Sequence, residues 1–150
     1  MKIIVDTREK HPWTFDGLEG IETISQKLDT GDYAIEGRED LLCIERKESV
    51  SEIAGNIVKP RFWNEMERMQ DYRWKFLLLE FGPSHVDGFP NNLKVSKKVL
   101  KRIQIKGPFI RKELARIQVQ YGIHVMYCEH RIYAEQAAIS IIKRVLEELP

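Results

Sequence analysis

Residues 30–47 read TGDYAIEGREDLLCIERK, and this stretch decides the architecture. Thr30-Gly31-Asp32 is turn chemistry, Tyr33-Ala34-Ile35 is a short strand, Glu36 to Asp40 form a second turn, and Leu41 to Lys47 are a longer strand. Two strands joined by so short a turn predict a β-hairpin. Side chains on a strand alternate with a period of two, so Glu45 and Lys47 share one face and Arg46 points to the other. A carboxylate and an ammonium are thus aimed at one spot. Asp32, at the head of the preceding strand, brings a second carboxylate within reach of Glu45 across the pair.

Working outward, Ile3-Ile4-Val5 is a buried-strand pattern that delivers Asp6-Thr7-Arg8-Glu9 at its tip. Residues 18–28 are read as a short helix, against Gly20 and several β-branched residues. Downstream, Ser49 or Ser51 caps a helix reaching about Val58, and Pro60 opens another carrying Phe62, Trp63, Met66 and Met69 at helical spacing. Trp74 to Phe81 holds the strongest strand signal, closed by Gly82-Pro83, and should lie centrally. A loop rich in Gly, Pro and Asn follows, then a basic segment from Lys94 to Lys106. Gly107-Pro108 then opens a helix with Ile110, Leu114 and Ile117, Ile123 to Cys128 is a strand, and Ala134 to Leu149 a closing helix. Strands alternate with helices after one antiparallel hairpin, so the class is α/β, with a mixed β-sheet and flanking helices.

The 150 residues, 43% of them hydrophobic, suit a single domain spanning 1–150. No linker, repeat or low-complexity tract divides them. Lys and Arg (24) nearly cancel Asp and Glu (23), so the net charge of +1 selects no partner, and the distribution of charge matters more. Cys43 and Cys128 sit apart in apolar strand-like stretches and read as buried free thiols. An intracellular chain, cytoplasmic or nucleoid-associated, is expected, with no membrane-spanning run and no signal peptide. The four histidines, His11, His85, His124 and His130, lack metal-ligand spacing, and the glycines form neither a Walker loop nor a dinucleotide fingerprint. Trp13 and Tyr33 read as buried against the sheet rather than as base-stacking platforms.

Two carboxylates converging on one point repel and raise each other's pKa unless a cation lies between them. A hard divalent ion resolves this. Mg²⁺, which takes one or two carboxylates, keeps several waters and accepts phosphate oxygens, fits Asp32 and Glu45 better than zinc does, with Mn²⁺ as the usual substitute. Metal-assisted hydrolysis of a phosphodiester follows, with Lys47 orienting or helping to deprotonate the attacking water.

Val5-Asp6-Thr7-Arg8-Glu9, Leu28-Asp29-Thr30-Gly31-Asp32-Tyr33 and Ile44-Glu45-Arg46-Lys47 resemble, in order and spacing, the successive motifs of the XPF-type structure-specific nuclease family. The resemblance continues through Arg61-Phe62-Trp63 and the strand ending in Leu79-Glu80. It implies a restriction-endonuclease-like fold and a Mg²⁺- or Mn²⁺-dependent endonuclease that cuts DNA near duplex/single-strand junctions. Asp6, Asp32 and Glu45 would bind or surround the metal, the main-chain carbonyl of Arg46 would complete its coordination, Lys47 would serve the water, and Arg8 and Arg61 would contact phosphate.

Where the family motif places an Asp after Glu-Arg-Lys, this chain has Ser51, with Glu52 one place later and turned by about 100 degrees on a helix. Glu52 would then cover part of the missing role. No helix-hairpin-helix or helicase segment accompanies these motifs, so the chain resembles stand-alone forms, phage versions among them, and duplex affinity would come from a DNA-binding partner protein or a homodimer. The closing helix has apolar residues that suit either dimerisation or inward packing. Arg8 and Glu9 also fit a simple ion pair at the strand tip. Lys97, Lys98, Lys101 and Arg102 belong to a basic cluster that fits either DNA contact or a solvated helix face. The alternative to an endonuclease is a non-catalytic DNA-binding subunit of the same fold.

Overall fold

A computed structural model describes residues Met1–Pro150. Its centre is a six-stranded mixed sheet built from β1 (Lys2–Val5), β2 (Glu22–Ser25), β3 (Tyr33–Ile35), β4 (Leu42–Lys47), β5 (Trp74–Leu79) and β6 (His124–Tyr127). The spatial order is β2-β1-β3-β4-β5-β6, with β3 antiparallel to both neighbours and the remaining pairs parallel. The expected hairpin is therefore β3–β4, in register at Tyr33 and Ile44.

Helices cover both faces. On one lie α1 (Val50–Asn56), α2 (Pro60–Met69), α3 (Pro83–Asp87) and α5 (Gly107–Tyr121), whose Ile53, Phe62, Met66, Met69, Val86, Ile110, Leu114 and Ile117 pack with Cys43, Leu77 and Leu79. On the other, α6 (Arg131–Glu148) packs Ala134, Ala138, Ile142 and Val145 against Leu42, Ile44, Leu78 and the Trp13–Phe15–Tyr33 cluster. Odd-numbered residues of β4 thus face α1 and α2, and even-numbered residues face α6.

Ser49 is the residue that caps α1, its Oγ accepting the Glu52 N–H at 3.1 Å, and Pro60 occupies the first turn of α2. The closing helix α6 packs inward, although Ile132, Tyr133 and Leu146 stay exposed. Trp13 and Tyr33 are buried and stacked, their ring centroids 4.5 Å apart, and both cysteines are buried and free. No helix is long and apolar enough to cross a membrane.

Three segments differ from the sequence expectation. The stretch read as a helix at 18–28 is instead β2, pairing parallel with β1 from Lys2↔Glu22 to Val5↔Ser25. Its Thr23-Ile24 pair favours strand, and a vacant edge beside β1 outweighs the helical pattern of so short a segment. The loop after β5 contains the short α3, and the basic segment contains α4 (Lys97–Arg102), capped by Ser96.

Gly31 sets the position of Asp32. Its φ is +83°, and a Cβ there would lie 2.5 Å from Cys43 Sγ and 3.2 Å from the Ile44 carbonyl oxygen. Next to it, the Asp32 N–H donates to Ile44 O at 2.8 Å, and the Asp6 N–H donates to Asp32 O at 2.9 Å, pinning this turn between β1 and β4. Gly31→Ala combines left-handed strain with a clash against backbone and should destabilise the fold by about 2–4 kcal/mol. Urea unfolding measures this, and a midpoint equal to wild type would refute the close approach.

Candidate active site

The end of β4 divides its residues between two environments. Glu45 and Lys47 face α1 and α2, both are more than nine-tenths buried, and Lys47 Nζ lies 3.1 Å from Glu45 Oε1. Nζ also stands 3.8 Å from Glu52 Oε1 and over the Phe62 ring. Burial opposes the charge on Lys47, but the surrounding Glu45, Glu52, Glu65 and Asp32 outweigh it and raise its pKa. Lys47 is therefore an ammonium donor here, suited to orienting a water rather than taking its proton.

Asp32 sits beside this pair, its Oδ2 accepting the Arg46 N–H at 2.9 Å. Burial pushes the Asp32 carboxyl up to about 7, against the Arg46 hydrogen bond that lowers it, with Glu9 adding further repulsion. Glu45 is raised well above its ordinary range, first by burial and then by Asp32. The two carboxylates thus repel as the sequence pattern implies. Glu65, on α2, borders the same cleft and pushes the Glu45 carboxyl up further. It escaped the sequence reading. The signal for it was the spacing Arg61, Glu65, Arg68, which puts all three on one helix face.

Asp6 is brought to the same cleft but with its carboxylate already engaged. Its Oδ1 accepts the Leu28 N–H at 2.8 Å, and Oδ2 accepts Arg8 Nε at 2.8 Å and Arg8 N at 3.2 Å. Burial alone would raise its pKa, but these bonds more than offset it and the net shift is downward. Asp6 holds the segment before Asp32 to the tip of β1. Arg8 is its ion-pair partner and also donates to Leu28 O at 2.9 Å.

On the opposite face Arg46 is 1% exposed at its side chain and is clasped by Glu80, Nε to Oε2 at 2.5 Å and Nη2 to Oε1 at 3.2 Å. It also donates to the His11 carbonyl, lies over Trp13, and approaches Glu9 at 3.4 Å and Glu48 at 3.3 Å. Trp13 Nε1 donates to Glu80 Oε2 at 2.8 Å. Glu9 is thus part of the anchor for the loop after β1 and a partner of Arg46 rather than of Arg8. Because the Arg46 N–H goes to Asp32 and the Ile44 carbonyl to Asp32 N, this side of β4 faces β3, and the Arg46 carbonyl is directed there too, beyond the end of β3.

Asp6, Arg8, Asp32, Glu45, Lys47 and Glu65 line a polar cleft of about 530 Å³ whose only apolar lining residue is Phe62. A second cavity of about 460 Å³, with no apolar lining, adjoins it at Arg8, Asp32, Glu45, Lys47, Asn56 and Arg61. Arg61 is exposed at that junction and forms no ion pair. Asn56 Oδ1 is buried without a hydrogen-bond partner. Glu52 lines the second cavity, whereas Ser51 turns to an apolar groove with Ala54 and Val58 on the far side of α1. Lys97, Lys98, Lys101 and Arg102 are exposed on α4 and line neither cavity; Arg102 borders the apolar groove. Of the histidines, only His11 reaches the second cavity, paired with Glu48 at 3.3 Å.

No three Asp, Glu, His or Cys side chains converge as a closed metal cage. The set that does come together, two buried and mutually repelling carboxylates with a main-chain carbonyl beside them, fits a Mg²⁺-type ion that retains most of its waters.

Among proteins of curated function none matches this sequence. Among solved structures, XPF from Aeropyrum pernix is similar at 24% identity with a TM-score of 0.62, covering 98% of this chain and 69% of that one. XPF from Aeropyrum pernix in complex with DNA is similar at 23% identity with a TM-score of 0.70, covering 97% of this chain and 65% of that one. The chain therefore spans about two thirds of these structures, and at such identity they establish a shared fold. The ERCC4 domain matches residues 5–136, the greater part of the sequence and every residue of the cleft described above, and so the chain belongs to the ERCC4-domain family.

Proposed function

We propose that this ERCC4-domain chain is a Mg²⁺- or Mn²⁺-dependent DNA endonuclease, acting at branched or duplex/single-strand junction DNA. The observation that carries this reading is the buried pair Asp32–Glu45, raised in pKa and flanked by the ammonium of Lys47. Asp32, Glu45 and the Arg46 carbonyl would hold the ion. When bound, it would lower the pKa of a coordinated water and neutralise charge developing on phosphate. Lys47 orients that water through its N–H donors. Arg8 and Arg61 face the phosphate, Asp6 fixes the segment that carries Asp32, and Glu52 steadies Lys47. That XPF has been solved with DNA supports the substrate class, and the single-domain reading of 1–150 stands with this proposal.

The rival, a non-catalytic DNA-binding subunit, loses ground because Asp32, Glu45 and Lys47 are all present and assembled. Labelled linear duplex, single strand, splayed-arm and flap DNA, incubated in Mn²⁺, decide between them. Cleavage of a junction substrate is expected. Tight binding without cleavage of any substrate would instead establish the rival. Lys47→Ala should reduce the rate by about 10²-fold or more, and loss no greater than for the surface control Lys143→Ala would remove Lys47 from the mechanism.

A further inference from the structure

The two cavities that meet at Asp32 and Glu45 differ in how their cations are occupied. On the α2 side, Lys59, Arg61 and Arg68 have no carboxylate within ion-pair distance, and Arg68 donates only its Nε, to Thr30 Oγ1 at 3.1 Å. On the other side Arg46 is enclosed by Glu9, Glu48 and Glu80, and Glu52 approaches Lys47 at 3.8 Å. Apart from Arg61, which stands at the junction of the two cavities, only Lys10 is unpaired there. Arg61 and Arg68 lie seven residues apart on one face of α2, roughly 10 Å along its axis, farther than the reach of a single phosphate group.

We propose that one DNA strand leaves the Asp32–Glu45 centre along α2, with Lys59, Arg61 and Arg68 contacting consecutive phosphates, while the side lined by Glu9, Glu48 and Glu52 carries no strand. This rests on the endonuclease reading and assigns Lys59 and Arg68, which neither the motifs nor the family resemblance single out, to substrate binding. The contacts are to the backbone, since Phe62 is the one apolar residue on that side.

Binding of flap DNA is measured by fluorescence anisotropy in Ca²⁺ over a range of salt concentrations, so that no cleavage is required. Each phosphate contact removed should lower the slope of log K against log salt by about 0.7–0.9. Lys59→Ala is expected to lose about one such unit and Lys59→Ala/Arg68→Ala about two, with affinity falling at least tenfold at physiological salt, while Lys10→Ala and Lys143→Ala keep the wild-type slope. A melting temperature close to wild type for Lys59→Ala, at an exposed helix cap, separates contact loss from unfolding. Wild-type slopes in both Lys59 variants overturn the path even where the enzyme cuts DNA. An equal drop for Lys10→Ala overturns its one-sidedness. A wild-type protein that binds no DNA overturns the path and the endonuclease reading together.

Discussion

Asp32→Asn should abolish cleavage and at the same time stabilise the metal-free protein at alkaline pH. An amide in place of the carboxylate still accepts the Arg46 N–H, so the turn keeps its anchor. What goes is one of two anionic ligands. With metal assistance supplying several kcal/mol of transition-state stabilisation, and each 1.36 kcal/mol worth a factor of ten, the rate should fall about 10³-fold or more.

The stability change has the opposite sign. Asp32 titrates at about 7 in the fold, against an ordinary value of 3.8. Below the lower value both folded and unfolded chains are protonated and nothing is lost. Between the two, the folded chain holds a proton that the unfolded chain has released, so stability declines as pH rises, and above about 7 the decline, on the order of a few kcal/mol, is complete. The variant escapes it. Its melting temperature in EDTA should exceed that of wild type at pH 8, and the gap should close by pH 4. Mn²⁺ should raise the wild-type melting temperature at pH 8 and leave the variant almost unmoved. A variant that cuts at the wild-type rate, or melts below wild type at pH 8, refutes the assignment.

The second large effect is expected on the opposite face of the same strand. Arg46→Ala leaves Glu80, 6% exposed at its side chain, without its cation, and releases Glu9, the His11 carbonyl and Trp13 from their common partner. Breaking a buried pair from one side costs about 3–5 kcal/mol, which for a domain of this size lowers the melting temperature by roughly 10 °C. Glu80→Ala should cost a similar amount. The double variant should cost much less than the two together, because the orphaned charge is gone. Additive losses in that cycle would show that the clasp is not a unit. Cleavage should also suffer, since the Arg46 main-chain N–H holds Asp32.

Much of this was legible in the sequence because it is local. The period of two in Ile44-Glu45-Arg46-Lys47 correctly assigned Glu45 and Lys47 to one face and Arg46 to the other, and Pro60 and Gly107-Pro108 marked real helix starts. What depends on distant partners was not legible. Glu22–Ser25 has in Thr23-Ile24 only a weak local preference for strand, and the edge of β1 that decides it is not encoded in that segment. Glu80 closes on Arg46 across 34 positions of sequence, and Glu65 reaches Glu45 only after α2 folds back over the sheet. The motif resemblance put Asp6 at or around the metal, and only the structure shows that both its oxygens are already engaged, by the Leu28 N–H and by Arg8. Proximity to the carboxylates was not legible either: the basic run on α4 lines neither cavity, and the cations that border the carboxylates are the scattered Arg8, Lys59, Arg61 and Arg68.

The polar walls around Asp32 and Glu45 bear on what such a surface is able to distinguish. No flat aromatic face is exposed there: Phe62 is the one apolar residue of the walls, and the aromatic pair best suited to stacking, Trp13 and Tyr33, is sealed in the core. A nucleobase at these walls would find no exposed ring to stack on. On the endonuclease reading, a strand would therefore be gripped by its charged backbone and not by the flat faces of its bases.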